Sequence, residues 1–207
     1  MRPLRAPDAL ARPLGLFIAG DADPGAAGWL AETAQREWQA TTRAISPVVY
    51  TCDDSGAVVP CCRPESEALG RLLRYGEALL LGQEYGEQQQ LLEEVHARDG
   101  VDLFVASVTL VERKDGCTRS YCVWTDGVDS LLPRTDALIL QSNPPPGPEQ
   151  DGWRYFVPFD RARELAGNAW SIAEVPAGPV RFRARGAIDP GLRERLAQAA
   201  VPFEQIP

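Results

Sequence analysis

An α+β fold is predicted by two features of the sequence. Residues 101–141, VDLFVASVTLVERKDGCTRSYCVWTDGVDSLLPRTDALILQ, are dense in β-branched and aromatic residues and are cut by Lys114-Asp115-Gly116, by Asp126-Gly127 and by Pro133. Asp-Gly supplies the positive φ that tight hairpin turns need, so the stretch predicts an antiparallel meander. On either side of it, apolar residues recur at helical spacing. The predicted architecture is therefore a meander over about 101–141, extended by strands near 153–158 and 180–185, packed against helices from the N-terminal half and the C-terminus.

The elements follow in chain order. Residues 1–13 carry three prolines and no periodicity, which predicts a mobile arm. Leu14 to Ala19 reads as a short buried strand closed by Gly20. Trp29, Leu30, Ala34 and Trp38 fall on one helical stripe, predicting a helix from Trp29 to about Arg43. Ile45 to Tyr50, interrupted by Ser46-Pro47, reads as a strand that pairs with Ala57 to Val59 in a small hairpin.

Leu69, Leu72 and Leu73 open a second helix with Ser66 as candidate N-cap. Glycines at 70, 76, 82 and 86 each cost about 1 kcal/mol in a helix interior, which predicts a break between Gly82 and Gly86. Gly100 stands where a helix stop belongs. The meander is expected as strands over about 102–112, 117–125 and 128–141, the last broken at Pro133. The proline-rich QSNPPPGPEQDG favours extended, solvated backbone. Beyond it, Trp153, Tyr155 and Val157 alternate with Arg154, Phe156 and Pro158, as in an edge strand.

Asp160 is expected to cap a short helix ending near Gly167. Ala169 to Val175 and Val180 to Arg185 read as strands. Asp189-Pro190 opens the last helix, aspartate being favoured at N-cap and proline at the first helical position. Leu192, Leu196 and Ala199 form its apolar stripe. A single domain over 14–207 is the expectation, with a subdivision near residue 100 as the alternative.

Composition bounds the function. The formal net charge is -8 and the pI about 4.8, so the average surface repels nucleic-acid backbones and anionic lipid headgroups. Neither nucleic acid nor a membrane is an expected partner. No apolar run approaches the roughly 18 residues of a spanning helix, and the prolines at 3, 7 and 13 do not fit a secretory signal. A soluble, cytoplasmic protein is expected. Lys114 is the only lysine and His96 the only histidine among 207 residues. Lysine chemistry is thereby confined to one predicted turn.

Four sets of residues are candidate sites. In LFIAGDADPG at 16–25, an apolar run ends in Asp21 and Asp23, two carboxylates able to hold Mg²⁺ or to attack phosphorus. Over these residues the sequence resembles the first motif of haloacid-dehalogenase-type phosphatases, which implies a Mg²⁺-dependent phosphohydrolase. Pro24 directly after Asp23 departs from that pattern, and a polar turn before a helix accounts for the same carboxylates.

Cys52, Cys61, Cys62, Cys117 and Cys122 lack the two-residue gaps of zinc knuckles and read as reduced thiols. His96 sits near a predicted helix C-terminus, which itself favours an imidazolium. Arg181, Arg183 and Arg185 would project from one face of a strand, opposite Phe182 and Ala184. Three guanidinium groups together fit carboxylates or an external anion, and equally the charged edge that discourages aggregation. Trp124, Trp153, Tyr155, Phe156, Phe159 and Trp170 cluster in the C-terminal half, as groove or as core.

The leading reading is a non-catalytic soluble binding or accessory protein without a cofactor. It would engage a protein or acidic partner through a sheet face bearing Trp153 and Tyr155, or through the Arg181, Arg183 and Arg185 ladder. The alternative is the phosphohydrolase using Asp21 and Asp23.

Overall fold

The structure, a computed structural model, describes residues 15–20, 25–41, 44–61, 64, 66–145, 147, 152–175 and 177–206. The expected arm over 1–13, together with Asp21, Asp23 and Cys62, lies outside the described residues. The chain divides into two compact units, residues 1–77 and 78–207. The fold class is α+β, with helices packed against sheets.

In the first unit, α1 (Ala26–Ala40) is followed by a hairpin of β1 (Tyr50–Cys52) and β2 (Val58–Pro60), and the unit ends in the first turns of α2 (Glu67–Asp99). Its core is small: Ala31, Val49, Leu69 and Leu73 form a cluster joined by Leu30, Leu72 and Cys61. Gln35 is buried beside them because its Nε2 donates to the Leu72 carbonyl at 2.6 Å, which removes the cost of an unpaired amide. The expected stripe of Trp29, Leu30, Ala34 and Trp38 is not the buried face. Trp29 is exposed and meets Phe17 edge to face at 6.1 Å.

Two expectations for this unit are corrected. The run before Gly20 is not a buried strand: residues 15–20 carry no strand pairing, and Leu16 and Ile18 are 85% and 79% exposed. An apolar run becomes a strand only where a partner accepts its ladder, and β1 and β2 pair with each other. The strand expected over 45–50 begins only at Tyr50, since Pro47 has no N–H to give a ladder. The hairpin loop is closed by Asp53, whose Oδ1 accepts from the Ser55 hydroxyl and from the Ser55 and Ala57 amides, while Gly56 takes φ 81°.

The break expected between Gly82 and Gly86 is absent, and α2 runs unbroken for 33 residues. Tertiary packing outweighs the glycine cost. Leu69, Leu73, Ala78, Tyr85, Gln88 and Leu92 are buried along it. At Gly76 the Pro47 carbonyl comes so close that a Cβ would lie 2.6 Å from its oxygen, so the glycine admits a neighbouring backbone. Ser66 caps the start, its Oγ accepting from the Leu69 amide at 3.2 Å, and Gly100 with φ 66° ends the helix.

The second unit contains two four-stranded sheets. In chain order its strands are β3 (Phe104–Val105), β4 (Thr109–Glu112), β5 (Thr118–Thr125), β6 (Ser130–Pro133), β7 (Ala137–Gln141), β8 (Arg154–Pro158), β9 (Trp170–Ile172) and β10 (Arg181–Ala184). Between them lie α3 (Phe159–Ala166) and, after β10, α4 (Pro190–Gln198). Sheet I has the order β3-β6-β10-β9 and sheet II the order β4-β5-β7-β8.

The expected all-antiparallel meander is therefore corrected. β4 and β5 form the expected hairpin, but β5 pairs with β7 in parallel, and β6 between them belongs to sheet I. The reason lies in burial. All four residues of β6 are buried, as are the first four of β7, so both strands are covered on two faces and sit inside their sheets.

The main core lies between the sheets and the last two helices. Trp124, Leu138, Leu140 and Val157 of sheet II meet Leu132, Trp170, Phe182 and Ala184 of sheet I, with Ala162 and Ala166 of α3 and Leu192 and Leu196 of α4. A smaller cluster of Leu92, Val105 and Leu131 packs the other face of sheet I against α2. Asp189 caps α4 as expected, its Oδ1 accepting from the Leu192 amide at 2.9 Å with Pro190 at the first helical position. Asp160 falls in the first turn of α3, whose N-cap is Pro158. Among the described residues no helix is long and apolar enough to cross a membrane.

Candidate functional site

The alternation read in RFRARG is present in β10. Phe182 and Ala184 face the main core, while Arg181 and Arg183 lie on the other face, opposite Pro133 and Leu131 in the register, and Arg181 reaches α2. The three arginines nevertheless do not share a surface. Arg181 is 0% exposed, Arg183 is half-buried, and Arg185 lies past the strand end and is exposed.

Arg181 is held in a cage of neutral oxygens. Its Nε donates to Gln88 Oε1 at 2.6 Å, Nη1 to the Ala106 and Leu131 carbonyls at 2.7 and 3.1 Å, and Nη2 to the Tyr85 carbonyl at 3.0 Å. The guanidinium also lies 5.0 Å from the centre of the Tyr85 ring. Loss of hydration pushes its pKa down to about 10, against the opposing influence of Tyr85, Cys122 and Glu93, so it remains a cation at neutral pH. Such a group joins α2, β10, β6 and the segment after β3 and has no face left for a ligand.

Arg183 is occupied too. Its Nη2 reaches Asp129 Oδ2 at 3.1 Å, and its Nε is buried without an acceptor among the described residues. Asp129 also accepts from the Gly186 amide, and Asp126 from the Ile188 amide at 2.8 Å. The arginine beside Asp129 holds that carboxyl below its usual range, with the Gly186 amide acting in the same direction. These two aspartates staple the loop after β10.

Trp153, directly before β8, and Tyr155 on it stack at 5.3 Å with 18° between the rings. Both are half-buried, their inner edges on the main core. Arg193, exposed on α4, lies 5.5 Å above the Trp153 ring. On the opposite face of the strand, Phe156 meets Phe203 at 5.8 Å, and the Val201 amide donates to the Phe156 carbonyl at 2.9 Å.

A second surface went unrecognised in the sequence. Trp170, Ile172 and Phe182 floor an open depression of about 620 Å³, bordered by Arg134, Asp160, Arg163, Glu164 and Gly167. Arg134 pairs with Asp160 at 3.2 Å, and Arg161 with Glu164 at 2.9 Å. Arg163 lies 5.0 Å over the Phe182 ring. The signal that could have found it is Ile172, a β-branched residue between Ser171 and Ala173 on a short strand next to a helix rich in arginine.

The remaining candidates fall into structural places. The thiols of Cys52, Cys61, Cys117 and Cys122 are unpaired. Cys122 is buried, receives the Thr135 hydroxyl at 3.5 Å, and burial pushes its thiol up to about 12. His96 Nδ1 lies 3.2 Å from the Leu103 carbonyl at the end of α2. Among the described residues no three His, Cys, Asp or Glu side chains are grouped to hold a metal. Comparison with protein families, with curated proteins and with solved structures finds no match to this chain.

Proposed function

We propose that this protein is a non-catalytic binding or accessory protein that engages a protein partner through the surface formed by Trp153, Tyr155 and Arg193. The observation that carries the reading is the stacked, half-exposed Trp153–Tyr155 pair under the Arg193 guanidinium. Tryptophan, tyrosine and arginine are the residues most enriched where binding energy concentrates. Here the rings are already fixed by the core beneath them, so little side-chain freedom is lost when a partner covers them. We infer a reducing, cytoplasmic setting from the unpaired thiols, Cys52 among them exposed.

The test is quantitative capture from a lysate of the source cells with wild-type protein, Trp153→Ala and Arg193→Glu, each checked for an unchanged melting temperature. A protein retained by the wild type and depleted at least about tenfold by both substitutions is the expected result. Retention unaffected by either substitution would overturn the assignment. A melting-temperature rise with Mg²⁺ and a phosphate analogue, abolished in Asp21→Asn, would instead favour the phosphohydrolase reading.

A further inference from the structure

The outer edge of sheet I is unoccupied and lies beside the depression at α3. β9 is the last strand of that sheet, and among the described residues no segment pairs with its far side. The register shows which groups point outward. The Ala173 amide donates to the Arg181 carbonyl at 2.9 Å, which makes 173 with 181, and two residues on Ser171 with Arg183, the hydrogen-bonded pairs of this antiparallel ladder. The backbone groups of Trp170 and Ile172 therefore point away from β10. The Trp170 amide is taken by the Gly167 carbonyl, which leaves the Trp170 carbonyl and both groups of Ile172.

Side-chain alternation links this edge to the depression. Ile172 pairs with Phe182 and Trp170 with Ala184, so both β9 residues share the face that looks toward α3. Ile172 is 65% exposed there, although its register partner Phe182 is buried. The sheet thus ends one strand short of covering its own apolar layer. A chain added at this edge would carry the layer onward, each alternate side chain entering the depression.

Charge narrows what that chain is. The rim holds Arg134 and Arg163 against Asp160 and Glu164. Asp160 is taken by Arg134 and Glu164 by Arg161, while Arg163 rests on the Phe182 face without a carboxylate among the described residues. An acidic side chain of a bound strand supplies its partner.

We propose that the edge of β9 accepts an extended peptide segment of another protein, with a large apolar side chain beside Ile172 in the depression and an Asp or Glu on Arg163. This surface stands independently of the one at Trp153 and Tyr155, and its test touches none of those residues.

The experiment is selection of short random displayed peptides on the full chain, followed by affinity measurement on a synthetic peptide of the enriched sequence. The expected sequence carries a large apolar residue with Asp or Glu two positions away, the spacing that puts both on one face of a strand. Ile172→Pro removes an outward amide, which the fold does not use, together with the exposed Ile172 side chain, and is expected to weaken binding at least about tenfold with an unchanged melting temperature. Should the proline variant fail to fold, Ile172→Asp replaces it with the same expectation. Arg163→Glu is expected to weaken binding similarly and to recover it when the peptide's acidic residue is changed to lysine. No enriched peptide, or affinities that both substitutions leave intact, would overturn the proposal. So would a self-associating wild type that Ile172→Pro renders monomeric, since the edge would then belong to a second copy of this chain.

Discussion

Gln88 Oε1 accepts the Arg181 Nε proton at 2.6 Å while its own Nε2 donates to the Ala177 and Pro179 carbonyls at 2.7 and 2.8 Å. One amide on α2 thereby orients a buried cation and fixes the loop that leads into β10. Tyr85, one turn earlier, does the same with different atoms: its hydroxyl donates to the Val180 carbonyl at 2.7 Å and accepts from the Arg134 amide at 3.0 Å.

Removing the cation from this cage takes a donor away from four oxygens at once, although the Leu131 carbonyl keeps the Ala106 amide. Arg181→Met is expected to lower the unfolding free energy by about 3–5 kcal/mol, read from urea denaturation. Gln88→Leu removes one acceptor and two donors and is expected to cost about 2–3 kcal/mol. The double variant should cost less than the sum of the two, because each breaks the same contact. Additive costs would show that the pair is not coupled.

Stability should fall on the alkaline side, and Cys122 is one cause. Its folded thiol titrates at about 12, above the ordinary value of 9, because burial disfavours the thiolate. Below 9 the proton stays on in both states; between 9 and 12 the unfolded chain releases it and the folded chain does not. The unfolding free energy therefore decreases as pH rises through that window. The Tyr85 phenol, raised by burial, acts in the same direction. Cys122→Ala is expected to reduce the slope of unfolding free energy against pH between about 9 and 11 by up to one proton. An unchanged slope would exclude Cys122 as its source.

The glycines of α2 separate into two kinds. Gly76→Ala drives a methyl group onto the Pro47 carbonyl and should cost about 1–3 kcal/mol. At Gly86 a Cβ meets nothing within 4 Å, so Gly86→Ala should stabilise the helix by about 0.5–1 kcal/mol. Thermal melts of the two variants should move in opposite directions.

At α4 the cap is local and its value separable. Asp189→Ala removes the acceptor of the Leu192 amide and is expected to cost about 1 kcal/mol, whereas Asp189→Asn, which keeps an oxygen in place, should cost much less. Equal losses would place the effect in the charge and not in the cap.

Features governed by nearest neighbours were legible in the sequence. Asp189-Pro190, Ser66 and Gly100 each act within one helical turn, and their places were read correctly. The helix break and the strand pairing depended on partners far along the chain. Gly76 is tolerated because Pro47 approaches it, and a glycine cost cannot reveal that. β6 was assigned to a meander although Leu131-Leu132 put apolar residues on both faces, the mark of a strand covered on two sides. Arg181, Arg183 and Arg185 alternate as expected, yet depth decides what an arginine does. Alternation specifies a face and leaves open whether that face meets solvent or α2. Trp153 and Tyr155 were legible as neighbours from their alternate spacing; Arg193 above them was not, since it comes from a helix forty residues on.

The excursion of β6 has a consequence for how the second unit opens. The chain leaves sheet II after Thr125, contributes Ser130 to Pro133 to sheet I, and returns at Ala137 to complete the parallel pair with β5. Neither sheet can lose its central strand without pulling on the other through a connection of a few residues. Amide protons of β5, β6, β7 and β10 should therefore exchange with solvent together, through a single opening event whose free energy approaches that of global unfolding. The short edge strand β9 can loosen ahead of it, so a strand open to a newcomer is also one that can yield to it.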